Sequence, residues 1–245
     1  MNSLRALLDG GIPLVAVSFD DSETEPRAHA AKSAGVDVAE LRVDRYAATD
    51  TAHVLAQVDA FKALPVLATI RSAREGGDWK GTEAERLELF RALAPQVQAV
   101  DIELSSGEIL SEVIEAAHRH DTVALVSYHN FEFTPATEEL QTVIDEAKSA
   151  GADVVKVSTM VQSEGDVRRL ASLLLRAGAE GTRLIVIAMG ETGAVSRVFF
   201  PALGSLITYS FFGASSAPGQ LDFPETFGLL RKFYPAFDEL KSAGA

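Results

Sequence analysis

Thr122-Val123-Ala124-Leu125-Val126-Ser127-Tyr128, a helical spacing of apolar residues over 137–150, and then Asp153-Val154-Val155-Lys156-Val157-Ser158 form one repeating unit of this 245-residue chain. Short runs rich in β-branched residues read as strands, and apolar residues recurring every three to four positions between them read as an amphipathic helix. Working outward, similar runs occupy 13–19, 37–43, 65–71, 99–104, 183–189 and 206–210, which makes eight strands with the two quoted. Helical spacing also spans 49–64, 82–94, 106–120 and 164–177. Strand and helix alternating eight times imply a parallel (β/α)8 TIM barrel. A doubly wound open sheet alternates too, but the chain contains neither G-x-G-x-x-G nor G-x-x-x-x-G-K-[ST]. Gly35 and Gly151 each follow a Ser-Ala pair and are read as helix-ending glycines. No linker or low-complexity block divides the chain, so a single barrel is expected over residues 1–245.

Composition narrows the function. Hydrophobic residues make up 47% and charged residues 23% of the chain, a globular balance rather than a disordered one. No apolar run is long enough to span a bilayer, and the start Met1-Asn2-Ser3-Leu4-Arg5 is unlike a signal peptide. A cytoplasmic protein without a membrane partner is expected. The formal charge of −13 argues against nucleic acid, which calls for clustered Lys and Arg. An anionic small substrate remains open if arginines gather locally. With no cysteine, thiolate metal sites and cysteine nucleophiles are excluded.

Lys156 is the residue that asks for chemistry. It stands inside a β-branched run that would bury it, whereas Lys32, Lys62, Lys80, Lys148, Lys232 and Lys241 fall in helical stretches, loops or the tail. Burial disfavours the charged amine, and a neutral amine is a nucleophile toward carbonyls. Alternation then sorts the other polar residues, since every second residue of a strand shares a face. Glu40 and Arg42 share one, as do Thr69 and Arg71, Asp101 and Glu103, Ser127 and His129, and Lys156 and Ser158. Nearly all lie toward the C-terminal ends of their strands, where barrel active sites are built. Asp101 and Glu103 alone are readable as structural ion pairs. The whole set is not, because burying so many ions costs several kcal/mol each before partners offset it.

Of the five histidines, His29, His53, His118 and His120 fall in helical contexts and read as surface residues. His129 directly follows strand five and is a general acid/base candidate. Arg71-Ser72-Ala73-Arg74-Glu75-Gly76-Gly77 also follows a strand end; its glycines allow a tight loop from which Glu75 can reach in to orient a histidine. Ser215-Ser216-Ala217-Pro218-Gly219-Gln220 follows strand eight, either as an ordinary connection or as a lid with a polar rim. Arg197 falls at the start of a helix, where a cation does not favour the helix and a ligand charge explains it better.

With these residues in place, the chain resembles the type I 3-dehydroquinate dehydratases, the Schiff-base class of the shikimate pathway. The likeness runs in order through Glu40-Leu41-Arg42-Val43-Asp44, Arg71-Ser72 with Glu75-Gly76-Gly77, Ser127-Tyr128-His129-Asn130, Lys156, Met189 with Ser196-Arg197, and Ser216-Ala217-Pro218-Gly219-Gln220. It implies a cofactor-free, metal-free barrel that converts 3-dehydroquinate to 3-dehydroshikimate, as a homodimer. By resemblance, Lys156 forms an imine with the substrate ketone, His129 is the acid/base and Glu75 orients it. Arg197, Ser216 and Gln220 would surround the substrate carboxylate, Glu40, Arg42 and Arg71 would face the ring hydroxyls, and Ser18 is a further contact. Arg42 and Arg71 would help keep the lysine neutral. Two departures stand out: Leu41 replaces a tryptophan common in the family, and residues before Pro13 leave little material for an N-terminal hairpin across the barrel bottom.

Three other readings stay open on the residues. A class I aldolase would share Lys156 but would usually bring phosphate-binding glycine loops. A metal-dependent barrel hydrolase could recruit Asp101, Glu103 and His129. A non-catalytic carboxylate-binding barrel would keep Arg71 and Arg197 without needing Lys156 and His129 together.

Overall fold

Each β-branched run forms a strand of one parallel sheet in the computed structural model, which describes residues 4–213 and 219–243. The chain enters through α1 (Leu4–Leu8) and then alternates through β1 (Leu14–Phe19), α2 (Thr24–Ala34), β2 (Val38–Arg42), α3 (Thr51–Ala60), β3 (Val66–Thr69) and α4 (Glu83–Leu93). It continues through β4 (Ala99–Glu103), α5 (Leu110–Arg119), β5 (Val123–Asn130), α6 (Thr137–Ser149), β6 (Val154–Met160), α7 (Glu164–Ala179), β7 (Leu184–Met189), α8 (Ser196–Phe199) and β8 (Ile207–Ser210), ending with α9 (Phe223–Phe233) and α10 (Pro235–Ala243). The sheet order is β7-β6-β5-β4-β3-β2-β1-β8. Across the remaining seam the Leu206 N–H donates to the Leu184 carbonyl at 3.1 Å, so the barrel is nearly closed. The open-sheet alternative is thereby removed. Gly35 ends α2 as expected, at φ +87°, a left-handed conformation that favours glycine.

Alternation along the strands produces two apolar layers. Leu14, Ala16, Val38, Leu67, Ala99, Val123, Leu125, Val154, Ile185 and Ile207 fill the barrel interior. Their neighbours of opposite parity, among them Val15, Ala39, Leu41, Ala68, Val100, Val126, Val155 and Val186, pack outward against Val54, Leu93, Ile114, Ile144 and Leu173 of the helices. Each large side chain so buried stabilises the fold by roughly 1.5–3 kcal/mol. Leu41 is fully buried in that outer layer. At the N-terminal end, Leu4 and Leu8 of α1 join the interior cluster, so a short helix covers the bottom of the barrel where a hairpin was in question. Arg5 fastens it through Asp153, 2.8 Å away on the segment leading into β6.

The interior turns polar toward the C-terminal ends, and one cation enters from outside the barrel. Arg86 of α4 is fully buried: its Nε donates to the Ile70 carbonyl at 2.7 Å, its Nη1 to Ser106 Oγ at 2.9 Å, and its Nη2 pairs with Glu103. Glu103 also accepts the Ser72 N–H at 2.8 Å, which ties the loop after β3 to the barrel wall. Removing one member of a buried pair strands its partner, so Arg86→Met is expected to destabilise the protein by about 3–5 kcal/mol. Urea unfolding measures this, and a midpoint equal to wild type would show that Arg86 does not support Glu103.

Candidate active site

Strand register gathers the polar residues into one layer. Ser18 is paired with Glu40, Arg42 with Thr69, Thr69 with Asp101, Ser127 with Lys156 and His129 with Ser158. All point inward by parity, above the apolar layer. Of these, Ser18, Glu40, Arg42, His129, Lys156 and Ser158 line a cleft of about 610 Å³ including the solvent at its mouth, together with Arg71, Glu75, Met189, Arg197, Tyr209 and Gln220. Every predicted site residue except Ser216 is therefore brought to one place. Ser216, with most of the segment read as a lid, lies outside the described residues.

Lys156 is buried as expected, but its nearest charges are anionic. Its Nζ donates to Asp101 Oδ2 at 3.0 Å, lies 3.9 Å from Glu40 Oε1, and sits 4.4 Å from the centre of the Tyr209 ring. The arginines expected to act on this amine have carboxylates of their own. Arg71 pairs with Asp101 at 2.8 Å and Glu103 at 3.1 Å, and Arg42 is held by Asp44 through two hydrogen bonds of 2.9 and 2.7 Å. Burial alone would raise the Asp101 carboxyl. The charges of Arg71 and Lys156 and a hydrogen bond from Ser127 at 2.6 Å instead hold it well below the usual carboxylate range. Asp101 is thus a fixed negative charge facing the lysine, and a poor proton acceptor. Glu40 accepts from Ser18 and, at 3.0 Å, from Thr69 Oγ1.

The loop after β3 delivers Glu75. Ser72 caps a 3₁₀ turn over Ala73–Glu75, which ends at Gly76 with φ +74°; at Gly77 an added Cβ would lie 2.1 Å from the Arg71 carbonyl oxygen, so the tight return requires glycine. Glu75 Oε2 accepts both the His129 backbone N–H, at 3.0 Å, and the contact from its ring Nδ1, at 2.9 Å. Ser105 Oγ donates to the other oxygen at 2.5 Å. Burial raises the Glu75 carboxyl to about 7. Burial, with the charges of Arg71 and Lys156, pushes the His129 imidazole well below its ordinary value. With Nδ1 engaged by Glu75, Nε2 is the nitrogen available to a substrate, and Phe131 stacks 6.1 Å from the imidazole ring.

The same cleft holds a cation with spare donors. Arg197 falls in α8 as predicted; it is 3% exposed, and among the described residues its Nε and Nη2 have no hydrogen-bond partner. Burial lowers its guanidinium to about 10. A buried guanidinium with unused donors facing a cleft is suited to an anion. These side chains have partners within the protein: Asp101 and Glu103 are bound by arginines and His129 by Glu75. Among the described residues no cluster of three or more His, Asp or Glu is placed to hold a metal ion. The sequence reading left out Asp101 as a partner of Lys156, Ser105 behind Glu75, and Tyr209. Parity signalled Asp101 and Tyr209, whereas nothing local marked Ser105.

Comparison with known proteins agrees with this geometry. The family model of type I 3-dehydroquinase matches residues 12–234. The 3-dehydroquinate dehydratase of Methanosarcina barkeri is 40% identical over 205 residues, covering 80% of this chain and 85% of the relative. The crystal structure of the 3-dehydroquinate dehydratase from Aquifex aeolicus VF5 shares 35% identity and a TM-score of 0.83 over 91% of this chain and 99% of that one. The type I 3-dehydroquinate dehydratase from Clostridium difficile, solved with covalent modified comenic acid, shares 28% identity and a TM-score of 0.85 over 92% of this chain and 94% of that one. The chain belongs to the type I 3-dehydroquinase family.

Proposed function

We propose that this protein dehydrates 3-dehydroquinate to 3-dehydroshikimate and water through an imine on Lys156. The observation that carries the reading is a buried lysine sharing one cleft with the Glu75–His129 pair and with the spare donors of Arg197. The amine adds to the substrate ketone and water leaves, giving a protonated imine. Its positive charge faces the Asp101 carboxylate, a negative charge already in place before the imine forms. The imine withdraws electrons from the adjacent C–H. His129 Nε2 takes that proton and a neutral enamine forms. The enamine then expels the hydroxyl from the carboxylate-bearing ring carbon as His129 returns the proton to it, and water hydrolyses the product imine. Proton and water balance without an external oxidant or reductant.

The substrate's ketone carbon and its carboxylate-bearing ring carbon are separated by one ring carbon, so a molecule joined to Lys156 presents its carboxylate to a nearby cation. Arg197 and Gln220 are assigned to that end, and Glu40, Arg42, Arg71 and Ser18 to the ring hydroxyls. The occupied donors of Arg42 and Arg71 favour positioning and charge balance over direct anion capture. Ser216 keeps its family-implied place at the carboxylate. A role in the shikimate pathway, a single barrel unit, a homodimer and a cytoplasmic setting complete the reading, supported by family membership; among the described residues no helix is long and apolar enough to cross a membrane.

Turnover of 3-dehydroquinate with and without a metal chelator tests it. The product's conjugated ketone should appear at the same rate in both. Absence of turnover overturns the assignment, and loss on chelation would restore the metal-dependent alternative.

A further inference from the structure

Tyr209 was not among the residues that the family resemblance singled out, yet it lines the cleft. It points inward from β8, is 4% exposed, and among the described residues its hydroxyl has no hydrogen-bond partner. A phenylalanine would fill the same space without burying an unsatisfied polar group, so the hydroxyl calls for a ligand. Its surroundings say which kind. Lys156 Nζ lies 4.4 Å from the ring centre, and Arg197 is near enough for its charge to act on the phenol. A ring joined to Lys156 at the ketone and held by Arg197 at the carboxylate, as proposed above, shares this cleft with Tyr209.

We propose that the Tyr209 hydroxyl is a further donor to the substrate carboxylate, beside Arg197 and Gln220, and thereby a specificity-determining residue of this site. Burial first, and then the carboxylates Glu40 and Asp101, push the phenol well above its ordinary value. It therefore keeps its proton and meets an anion only as a donor. Two donors of different reach, a guanidinium and a phenol, fix the plane of a carboxylate where a single cation fixes only its distance. Substrates lacking that group gain nothing from Tyr209.

The inference rests on the function proposed above, and Tyr209→Phe separates the two. The ring stays packed beside Lys156, so only the hydroxyl is removed. On losing a hydrogen bond to a charged group, KM for 3-dehydroquinate and the inhibition constant of shikimate should both rise about 10- to 100-fold, with kcat changed by less. The inhibition constant of shikimate methyl ester, whose carbonyl accepts only a weaker neutral hydrogen bond, should rise by clearly less. An unchanged KM overturns the inference, as does an equal rise for acid and ester, which would mean a loss of shape. A fall in kcat at constant KM also overturns it, by placing the hydroxyl on the reacting atoms. If wild type neither turns over 3-dehydroquinate nor binds shikimate, the proposed function fails and the inference with it. Normal wild-type turnover with any of the other contrary outcomes removes only the role of Tyr209.

Discussion

Lys156→Arg is expected to leave no measurable turnover while the fold persists. Arginine keeps the positive charge and can still pair with Asp101, which in wild type accepts from Lys156 at 3.0 Å, so the buried carboxylate is not stranded. What is lost is chemistry. A guanidinium stays protonated in a protein and is no nucleophile, so no imine forms. The lysine itself gives a positive counterpart to this loss. Borohydride added during turnover should reduce the imine to a stable secondary amine, inactivate the enzyme and add the ligand mass to the peptide bearing Lys156. Adduct on another lysine, or normal turnover by Lys156→Arg, would sink the Schiff-base mechanism. Either result would leave the family and the barrel intact, because those rest on the match over residues 12–234 and on the sheet.

The barrel was legible because its period is written in the chain: β-branched runs of strand length separated by helical spacing, repeated eight times, leave few packings. The inward face of each strand was legible for the same reason, and Glu40, Asp101, Ser127, His129 and Lys156 fall on it as parity requires. What parity cannot supply is the match between strands that are not neighbours. Lys156 meets Asp101 across the intervening β5, and that meeting depends on the stagger of three strands at once. Because the meeting is hidden, the sequence does not show that Asp101 is the nearest charge to the amine. The arginines were expected to govern it, although their charges are taken up by Asp44, Asp101 and Glu103. Arg86 was illegible for another reason. In a helix rich in glutamate an arginine reads as solvated, and only the packing of α4 on the sheet carries its guanidinium to the Ile70 carbonyl and Glu103. An aromatic on an apolar strand face, such as Tyr209, reads as core until its hydroxyl is seen to lack a partner.

His129→Ala should lower turnover by about two to four orders of magnitude, the range for a lost general acid/base, with the fold retained. The pH profile says more than the rate. Only one arrangement of the pair is productive: Nδ1 carries a proton donated to an anionic Glu75, and Nε2 is free. As pH falls, a second proton must go somewhere. The imidazole is pushed well below its ordinary value by burial, Arg71 and Lys156, while burial raises Glu75 to about 7, so the carboxylate takes it. Protonated Glu75 then donates to Nδ1, the ring proton moves to Nε2, and the base is blocked. The wild-type kcat/KM is therefore expected to fall as pH drops through about 7, a value belonging to the pair rather than to the histidine alone. Glu75→Gln removes the group that titrates there but keeps an oxygen to accept from Nδ1. Its acid limb should move down, below the ordinary imidazole value near 6.5, because only the depressed His129 remains to be protonated. The plateau should drop about 10- to 100-fold with the weaker, uncharged hydrogen bond. A limb that stays in place, or moves up, would mean that Glu75 neither titrates with His129 nor sets its tautomer. Near-wild-type turnover by His129→Ala would remove the histidine from the mechanism altogether.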